Sequence, residues 1–397
     1  MVKKYCLTRK KSEIRSQKSE VRLRVLCLLF SVLCSFSSAA NDAFCGPSRT
    51  KTEPSKVAFP IEPKMAPGKV RLGAGQNRFR MRRVPSPREE LKLEEIPFKI
   101  VFETYRTTDG KENWELYLMN ADGSNPINLT RTPDLDEMYP HVSPDGTKIC
   151  FVVDEGTGRK KTRSVNYMNI DGTGRVKVAE NARQPCWSPD GKSIAYLKGE
   201  FERYSTREYA TSELFFYDLQ TRQHRPHPNK TLHHLYAICW SPDGNWFLAA
   251  VHGGMGYSDT ILAFEANGTR VFDLERWGVR GCRPDFSLDG KKMTWGETDW
   301  DLCVADIDLT SRAPQVANVR KVVRCLRAAK VYHVDFSPDS RYIAFSFGPF
   351  DGGQQVGGKA KGWNICVSDL TGKWVKITTD GNHNKEPDWV PIPSMGH

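Results

Sequence analysis

The sequence predicts an all-β protein whose main part is a six-bladed β-propeller of four-stranded blades. A strand–turn–strand pattern recurs five times in the 397 residues, and a fragment of it stands near the C-terminus. Aligned on the large apolar residue before the turn, the copies lie at Val142, Trp187, Trp240, Phe286, Phe336 and Trp389. They are 45 to 53 residues apart. A β-type pattern that repeats every 40–50 residues or so is typical of a propeller.

The centre of each copy is a tight turn, Ser-Pro-Asp-Gly, as at residues 188–191. Proline fixes φ, the Asp carboxylate accepts from the backbone, and Gly takes the left-handed conformation. Ser340 replaces the Gly in the last complete copy. We expect about 1 kcal/mol of backbone strain there.

A third strand follows in every unit, and most units continue through an Asp-Gly or Asn-Gly turn into a fourth strand. Complete units begin at Tyr139, Gln184, Ala237, Arg283 and His333. Three strands precede them, at 100–104, 114–119 and 127–129, and one strand follows around Trp389. These four make a sixth blade that is shared by the chain ends, which removes free sheet edges. The propeller is therefore predicted over 96–391, with a tail at 392–397.

The motif Pro-x-Trp-Ser-Pro-Asp-Gly-Lys, followed by an apolar pair and then a hairpin, resembles the TolB-type (WD-like) β-propeller repeat. The resemblance covers about three quarters of the chain. It implies the fold but not the activity, since propellers host unrelated functions. TolB itself carries an α/β domain before its propeller, whereas about 55 residues separate the predicted leader from the first strand here. We therefore expect a TolB-like propeller protein other than TolB.

Residues 1–40 are predicted to be a signal peptide. An apolar run at 25–36 is followed by Ser38-Ala39-Ala40, which suits cleavage before Asn41. The polar first twenty residues suggest a true start near residue 21. We expect export to the periplasm or cell envelope, with no stable membrane span after cleavage. An N-terminal membrane anchor is the alternative.

The net charge of +11 is unevenly distributed. Residues 1–40 contribute +7, residues 41–95 contribute +5, and the remainder contributes −1. A nucleic-acid-binding propeller would need a basic stripe, so we predict no nucleic-acid partner. Residues 41–95 are predicted to be a Pro-rich, largely irregular linker. Its basic cluster at 78–83 is alternatively a contact with an anionic envelope surface.

Eight cysteines follow the leader, at positions 45, 150, 186, 239, 282, 303, 325 and 366. In an exported protein such residues form disulfides. At strand positions they equally suit buried free thiols. The sequence leaves both alternatives open.

The long insertions are predicted to share one face of the propeller, which we call the long-loop face. They lie at 199–212, 224–236 and 348–363, and the opposite, turn face carries the Ser-Pro-Asp-Gly turns. Variable loops on a rigid scaffold are where function concentrates. We therefore predict ligand contacts by Arg203 and Tyr204. The glycines of 348–363 predict a mobile flap.

The innermost strands predict two rings of side chains around the channel. The first ring comprises Tyr139, Gln184, Ala237, Arg283, His333 and Glu386. The second ring comprises His141, Cys186, Cys239, Asp285, Asp335 and Asp388. The candidate ligand-binding residues are Gln184, Arg283 and His333 of the first ring and His141, Asp285, Asp335 and Asp388 of the second.

His141, Asp335 and Asp388 are also candidate metal ligands, because imidazole and carboxylate are metal-ligand types. The alternative is structural: polar residues of inner strands bond neighbouring backbones and ordered waters. No cofactor is predicted, and a divalent metal is the alternative.

These observations predict an exported, monomeric, non-catalytic module that binds an envelope protein or a glycan through the long-loop face. The sequence contains no Gly-x-Ser-x-Gly elbow and no His-Glu-x-x-His motif. The alternative function is a propeller enzyme, such as an oligosaccharide lyase with a metal or polar site at the channel mouth. His141, Gln184, Arg283 and His333 are of the residue types that such a lyase uses.

Overall fold

Six four-stranded antiparallel sheets form the part of the chain that the computed structural model describes, residues 90–297, 301–325, 329–349 and 362–392. This confirms the predicted six-bladed propeller. The predicted leader at 1–40, its alternative start near residue 21, most of the predicted linker and the residues after 392 lie outside these ranges.

The strands follow the chain around the propeller. Blade 1 contains β1 (Lys99–Thr108), β2 (Lys111–Asn120) and β3 (Ile127–Asn128). Blade 2 contains β4 (Leu135–Val142), β5 (Lys148–Glu155), β6 (Thr162–Asn169) and β7 (Val176–Glu180). Blade 3 contains β8 (Ala182–Trp187), β9 (Ser193–Gly199), β10 (Thr211–Asp218) and β11 (His224–Pro226). Blade 4 contains β12 (Leu235–Trp240), β13 (Trp246–His252), β14 (Asp259–Glu265) and β15 (Val271–Asp273).

The last two blades repeat this order. Blade 5 contains β16 (Cys282–Phe286), β17 (Lys292–Glu297), β18 (Asp301–Asp308) and β19 (Gln315–Val323). Blade 6 contains β20 (Ala329–Phe336), β21 (Tyr342–Pro349), β22 (Asn364–Asp369) and β23 (Trp374–Lys376). The final strand, β24 (His383–Val390), completes blade 1. Short 3₁₀ helices lie at Leu93–Glu95, Gly158–Lys160 and Leu274–Trp277.

The propeller closes through β24, which pairs antiparallel with β1 and places Ile100 opposite Trp389. The predicted three-plus-one clasp is confirmed. Trp389 is buried, and its ring meets that of Phe98 edge-on at 6.4 Å between centroids. Leu91 and Leu93 are buried in the same cluster. Packing on the propeller thus begins a few residues before the predicted boundary at 95/96.

The core lies between the blades. Between blades 3 and 4, for example, Leu214 and Phe216 of one sheet pack with Phe247 and Leu262 of the next. Strands that are covered on both faces bury nearly every residue, as β13 does. Each blade therefore depends on its two neighbours, as expected of radial repetition.

The seven cysteines in the described ranges are free, and all except the partly exposed Cys325 are buried. In this part of the chain, the buried-thiol alternative holds. Cys45 lies outside the described residues. Among the helices that the structure describes, none is long and apolar enough to cross a membrane.

Candidate ligand-binding site in the channel

A β-bulge in each innermost strand positions the first ring. Strand pairing shifts at this point in all six blades. The bulged residue adopts φ between 43° and 54° in every case. The residues are Tyr139, Gln184, Ala237, Arg283, His333 and Glu386. Bulges of this kind re-aim a side chain and are common next to functional sites, and here they border the channel.

The first ring and all of the second ring except Cys186 line a channel cavity of about 100 Å³. Residues 200–210 connect β9 to β10, and we call them the blade-3 loop. The loop contacts Tyr139 and Arg283, two residues that line this cavity. This loop lies within the predicted insertion at 199–212. It brings Glu208 to the channel mouth.

Glu208 joins two blades across the mouth. The Tyr139 hydroxyl donates to Glu208 Oε1 at 2.8 Å, and Arg283 Nη2 donates to Glu208 Oε2 at 2.6 Å. The side chains of Arg283 and Glu208 are only 5% and 13% exposed. Charge-assisted hydrogen bonds in such surroundings are strong. A carboxylate from blade 3 is thus held between blades 2 and 5.

Arg283 is itself fixed by its surroundings. Its guanidinium carbon lies 3.5 Å from the centre of the Tyr332 ring and 5.5 Å from that of Tyr236. Its Nε donates to His333 Nε2 at 2.7 Å. The Arg283 fork is therefore pre-organised toward the mouth.

His333 continues this polar chain to blade 1. Because its Nε2 accepts from Arg283, its proton lies on Nδ1, which contacts a carboxylate oxygen of Glu386. Burial, with the nearby charges of Arg283 and Lys385, holds the pKa of His333 well below its usual range. His333 is therefore neutral, and the chain runs from Tyr139 through Glu208, Arg283 and His333 to Glu386.

Blade 1 also contacts Tyr139, through the carboxylate of Glu103. Its Oε2 accepts from the Tyr139 backbone N–H at 2.8 Å, and its Oε1 lies 3.6 Å from Lys385 Nζ. Burial raises the pKa of Glu103 to about 7, although Lys385 acts in the opposite direction.

Two further contacts fasten the blade-3 loop. The Tyr204 hydroxyl donates to Asp154 Oδ2 at 2.6 Å, and Arg183 Nη1 donates to the Arg207 carbonyl at 2.6 Å. Asp154 also accepts from Arg163 at 2.6 and 2.8 Å. Burial opposes ionisation of Asp154, but its Arg163 partner holds its pKa below the usual range.

The second ring links the blades. Each of its carboxylates accepts a hydrogen bond from the backbone N–H of an aromatic or apolar residue in the next blade. Asp388 accepts from Val142 at 2.6 Å, Asp285 from Phe336 at 2.8 Å, and Asp335 from Trp389 at 2.9 Å. His141 Nδ1 accepts from the Trp187 N–H at 3.4 Å. These contacts match the structural alternative for this ring.

The carboxyls of the second ring are crowded in a buried place. Burial raises the pKa of Asp388 to about 7 and the pKa values of Asp285 and Asp335 well above their usual range. Within the described ranges, no group of three or more His, Cys, Asp or Glu side chains is placed to hold a metal ion. The candidates His141, Asp335 and Asp388 thus have a structural account, and a metal there stays a prediction.

Of the remaining predicted site residues, Gln184 and Tyr204 make structural contacts, and Arg203 is exposed. Gln184 Oε1 accepts from the Ala237 N–H at 2.8 Å and so links blades 3 and 4. Tyr204 anchors the blade-3 loop. Arg203 is exposed on the long-loop face and lies over the Phe201 ring. Of the predicted flap at 348–363, residues 350–361 lie outside the described residues.

Sequence analysis missed Glu208 as a site residue, and it did not single out Tyr139 within the first ring. The blade-3 loop contains three glutamates, at 200, 202 and 208. No local signal in the sequence indicates which of them turns inward.

The turn face carries a different cavity, of about 300 Å³. It is lined by the second ring and by the repeat aromatics and the turn prolines, among them Trp187, Trp240, Phe286, Pro189 and Pro242. Most of these aromatic rings are buried between blades. This cavity lacks the basic side chains that mark the long-loop mouth.

Comparisons with known proteins agree with the fold. The WD40 family model (WD domain, G-beta repeat) matches residues 226–261. "Uncharacterized peptidase YuxL" of Bacillus subtilis (strain 168) is 26% identical over 218 residues, 52% of this chain. The match covers only 29% of that protein's length.

Two solved structures share the architecture. TolB from Acinetobacter baumannii superposes with a TM-score of 0.56 at 20% identity, over 74% of this chain and 67% of TolB. Kuenenia stuttgartiensis hydrazine synthase gives a TM-score of 0.52 at 14% identity, over 75% of this chain and 47% of the synthase chain. The chain is a six-bladed β-propeller whose fold is similar to that of the TolB propeller, and it contains a WD-like repeat at 226–261.

Proposed function

We propose that this chain is an exported, non-catalytic binding module that takes an envelope protein or glycan at the long-loop mouth of its channel. One observation carries the proposal: Tyr139 and Arg283, from opposite parts of the propeller, converge on a single carboxylate at that mouth. Convergent polar groups at the end of a rigid channel are the usual form of a specific binding site. The module is expected to act as a monomer.

The state of His333 favours binding over catalysis. A general base needs a lone pair that is within reach of the substrate proton. The Nε2 lone pair of His333 accepts from Arg283, and Nδ1 contacts Glu386. The imidazole is thus committed to the network that holds Arg283.

The alternative function, an oligosaccharide lyase, would use His333 and its carboxylate partner Glu386. A neutral imidazole held by a carboxylate on Nδ1 is the form that a general base takes in many enzymes. Movement of Arg283 would release Nε2. Turnover of acidic oligosaccharides by the wild-type chain that disappears in His333→Ala would establish this alternative and contradict the proposal.

Export rests on residues 1–40, which lie outside the described structure. N-terminal sequencing of the protein from an envelope fraction checks it. We expect a mature N-terminus at Asn41. A protein that retains residues 25–36 would support the membrane anchor instead.

The binding face is tested by site-specific photo-crosslinking in cells. The crosslinker is placed at Arg203, exposed on the long-loop face, and at Lys291, exposed directly after the Ser-Leu-Asp-Gly turn on the opposite face. We expect discrete adducts from position 203 and none from position 291. Adducts only from position 291 would overturn the proposed face, and none from either would overturn the binding function.

A further inference from the structure

We propose that the ligand of this mouth is an acidic segment of a partner protein, whose carboxylate replaces that of Glu208 between Tyr139 and Arg283. This inference rests on the proposed function and names the ligand class of the same site. Glu208 is then a built-in competitor, carried on the blade-3 loop. It holds the site closed until the partner's carboxylate displaces it.

The chemistry of the site selects a carboxylate. A guanidinium Nη and a phenolic hydroxyl donate to separate oxygens of one carboxyl group. Arg283 is oriented by stacking on Tyr332 and by its bond to the neutral His333. A buried arginine without an anion is costly, so this site favours an acidic group over an amide or a hydroxyl.

A second positive charge lies under the loop. Arg183 is 2% exposed, and its Nη1 donates to the backbone of Arg207. Among the described residues, Arg183 Nε has no hydrogen-bond partner. Asp154, the carboxylate nearby, accepts from Arg163 and from the Tyr204 hydroxyl.

The electrostatics agree with that arrangement. Burial, together with the charge of Arg163, lowers the pKa of Arg183 to about 10. Displacement of the loop would break the bond between Arg183 and the Arg207 carbonyl, which leaves a second buried cation for an acidic segment to neutralise.

The size of the cavity favours a protein side chain over a sugar ring. The channel cavity, of about 100 Å³, is small beside the roughly 300–1,000 Å³ of typical small-molecule pockets. The group that now reaches the mouth is a glutamate on an ordinary peptide backbone. The Glu or Asp side chain of a partner can repeat its contacts without enlarging the channel.

Because Glu208 is part of the chain, it competes at a high effective concentration. The apparent affinity for the ligand is reduced by the fraction of molecules in which the loop is closed. Removal of the Glu208 carboxylate should therefore tighten binding. Loss of a charged hydrogen-bonded contact corresponds to about a 10- to 100-fold change in an equilibrium constant.

The test is a binding titration with a labelled oligo-glutamate peptide that has blocked ends. The variants are Glu208→Ala and, as a matched control, Glu202→Ala, which removes an exposed glutamate from the same loop. We expect Glu208→Ala to bind the peptide about tenfold or more tightly than wild type, and Glu202→Ala to bind like wild type. An oligo-glutamine peptide should show no gain.

Arg283→Gln, introduced together with Glu208→Ala, should abolish the gain in affinity for the oligo-glutamate peptide. Because Arg283 is buried, that variant is first checked for folding by circular dichroism. Arg283→Lys, which keeps the charge and loses the fork, should retain a part of the gain and serves if Arg283→Gln fails to fold.

Equal peptide affinity in wild type, Glu202→Ala and Glu208→Ala would overturn the inference. A parallel titration uses oligogalacturonate. A gain for the acidic sugar and none for the peptide would also overturn it, in favour of a glycan. Both failures are distinguishable from failure of the proposed function, since crosslinking at position 203 does not depend on which group occupies the Glu208 position.

Discussion

The Ser340 hydroxyl oxygen accepts a hydrogen bond from the Leu288 N–H at 3.2 Å, which joins the two residues that depart from the Ser-Pro-Asp-Gly turn. In other blades, the turn glycine abuts the turn proline of the preceding blade, as Gly244 abuts Pro189. Leu288 in place of proline restores a backbone N–H, and Ser340 in place of glycine supplies its acceptor. The two departures compensate each other in space.

This pairing predicts the outcome of a double-mutant cycle. Ser340 has φ 57°, so Ser340→Gly relieves about 1 kcal/mol of strain. The same change removes a hydrogen bond that contributes about 0.5–1.5 kcal/mol. We expect Ser340→Gly alone to leave the free energy of unfolding nearly unchanged.

Leu288→Pro combined with Ser340→Gly restores the repeat and should stabilise the protein by about 1 kcal/mol. Denaturant unfolding of the wild type, both single variants and the double variant measures the coupling. A full gain of about 1 kcal/mol from Ser340→Gly alone would show that the hydrogen bond contributes nothing.

Glu208 is expected to stabilise the unliganded protein. Glu208→Gln keeps the size of the side chain and an acceptor for Tyr139 but removes the charge opposite Arg283. We expect the free energy of unfolding to fall by about 1–3 kcal/mol. Glu202→Gln, in the same loop, should change it by less than about 0.5 kcal/mol.

Thermal or denaturant unfolding at neutral pH checks both variants. If they lose equal stability, the Glu208–Arg283 contact has no special role. A fall in stability alongside tighter peptide binding would be the trade-off expected of a functional contact.

The buried carboxyl groups of the second ring predict that the stability of the protein depends on pH. The pKa of Asp388 is about 7 in the folded protein, against an ordinary 3.8. Between these pH values, the folded state holds a proton that the unfolded state has lost. Stability is therefore fully present below about pH 4 and is lost as the pH rises through 7.

Asp388→Asn cannot ionise and retains an oxygen that accepts from the Val142 N–H. It should be more stable than wild type at pH 8, by at most about 4 kcal/mol, and similar at pH 4. Melting curves at the two pH values measure the difference. Asp289→Asn is a control of opposite sign, because the Ser287 hydroxyl lowers the pKa of Asp289. A larger stability gain of Asp388→Asn over wild type at pH 4 than at pH 8 would contradict the assignment.

Because Trp389 lies in the strand that closes the propeller, its removal is predicted to lower stability strongly. Its ring packs against Phe98, and its Nε1 donates to the Asp335 carbonyl at 3.2 Å. Trp389→Ala should cost about 3–5 kcal/mol in unfolding free energy. Trp277, partly exposed beside another blade, is the comparison site. A cost below about 1 kcal/mol at Trp389 would show that the clasp contributes little to stability.

The sequence predicted the fold well because each blade is specified locally. The turn residues, strand alternation and repeat phase are enough to assign all six residues of the first ring to the innermost strands, although they do not predict the bulges. The role of the second ring was not predictable from residue type. Asp285 binds the N–H of Phe336 because of the rotation between neighbouring blades, which a pattern within one repeat does not contain.

Glu208 marks the other limit of prediction from sequence. Glu200, Glu202 and Glu208 have the same chemistry and share one loop. Only the path of that loop, set by contacts of Tyr204 and Arg207 with blades 2 and 3, brings Glu208 to Arg283. Such long-range contacts lie outside the periodic signal that specifies the blades.

The most direct measurement is a crystal structure of the chain with an oligo-glutamate peptide bound. We predict a peptide carboxylate within hydrogen-bond distance of both the Tyr139 hydroxyl and Arg283 Nη2, with Glu208 displaced from the mouth. A peptide bound on the turn face, or bound elsewhere while Glu208 still bridges Tyr139 and Arg283, would contradict the account.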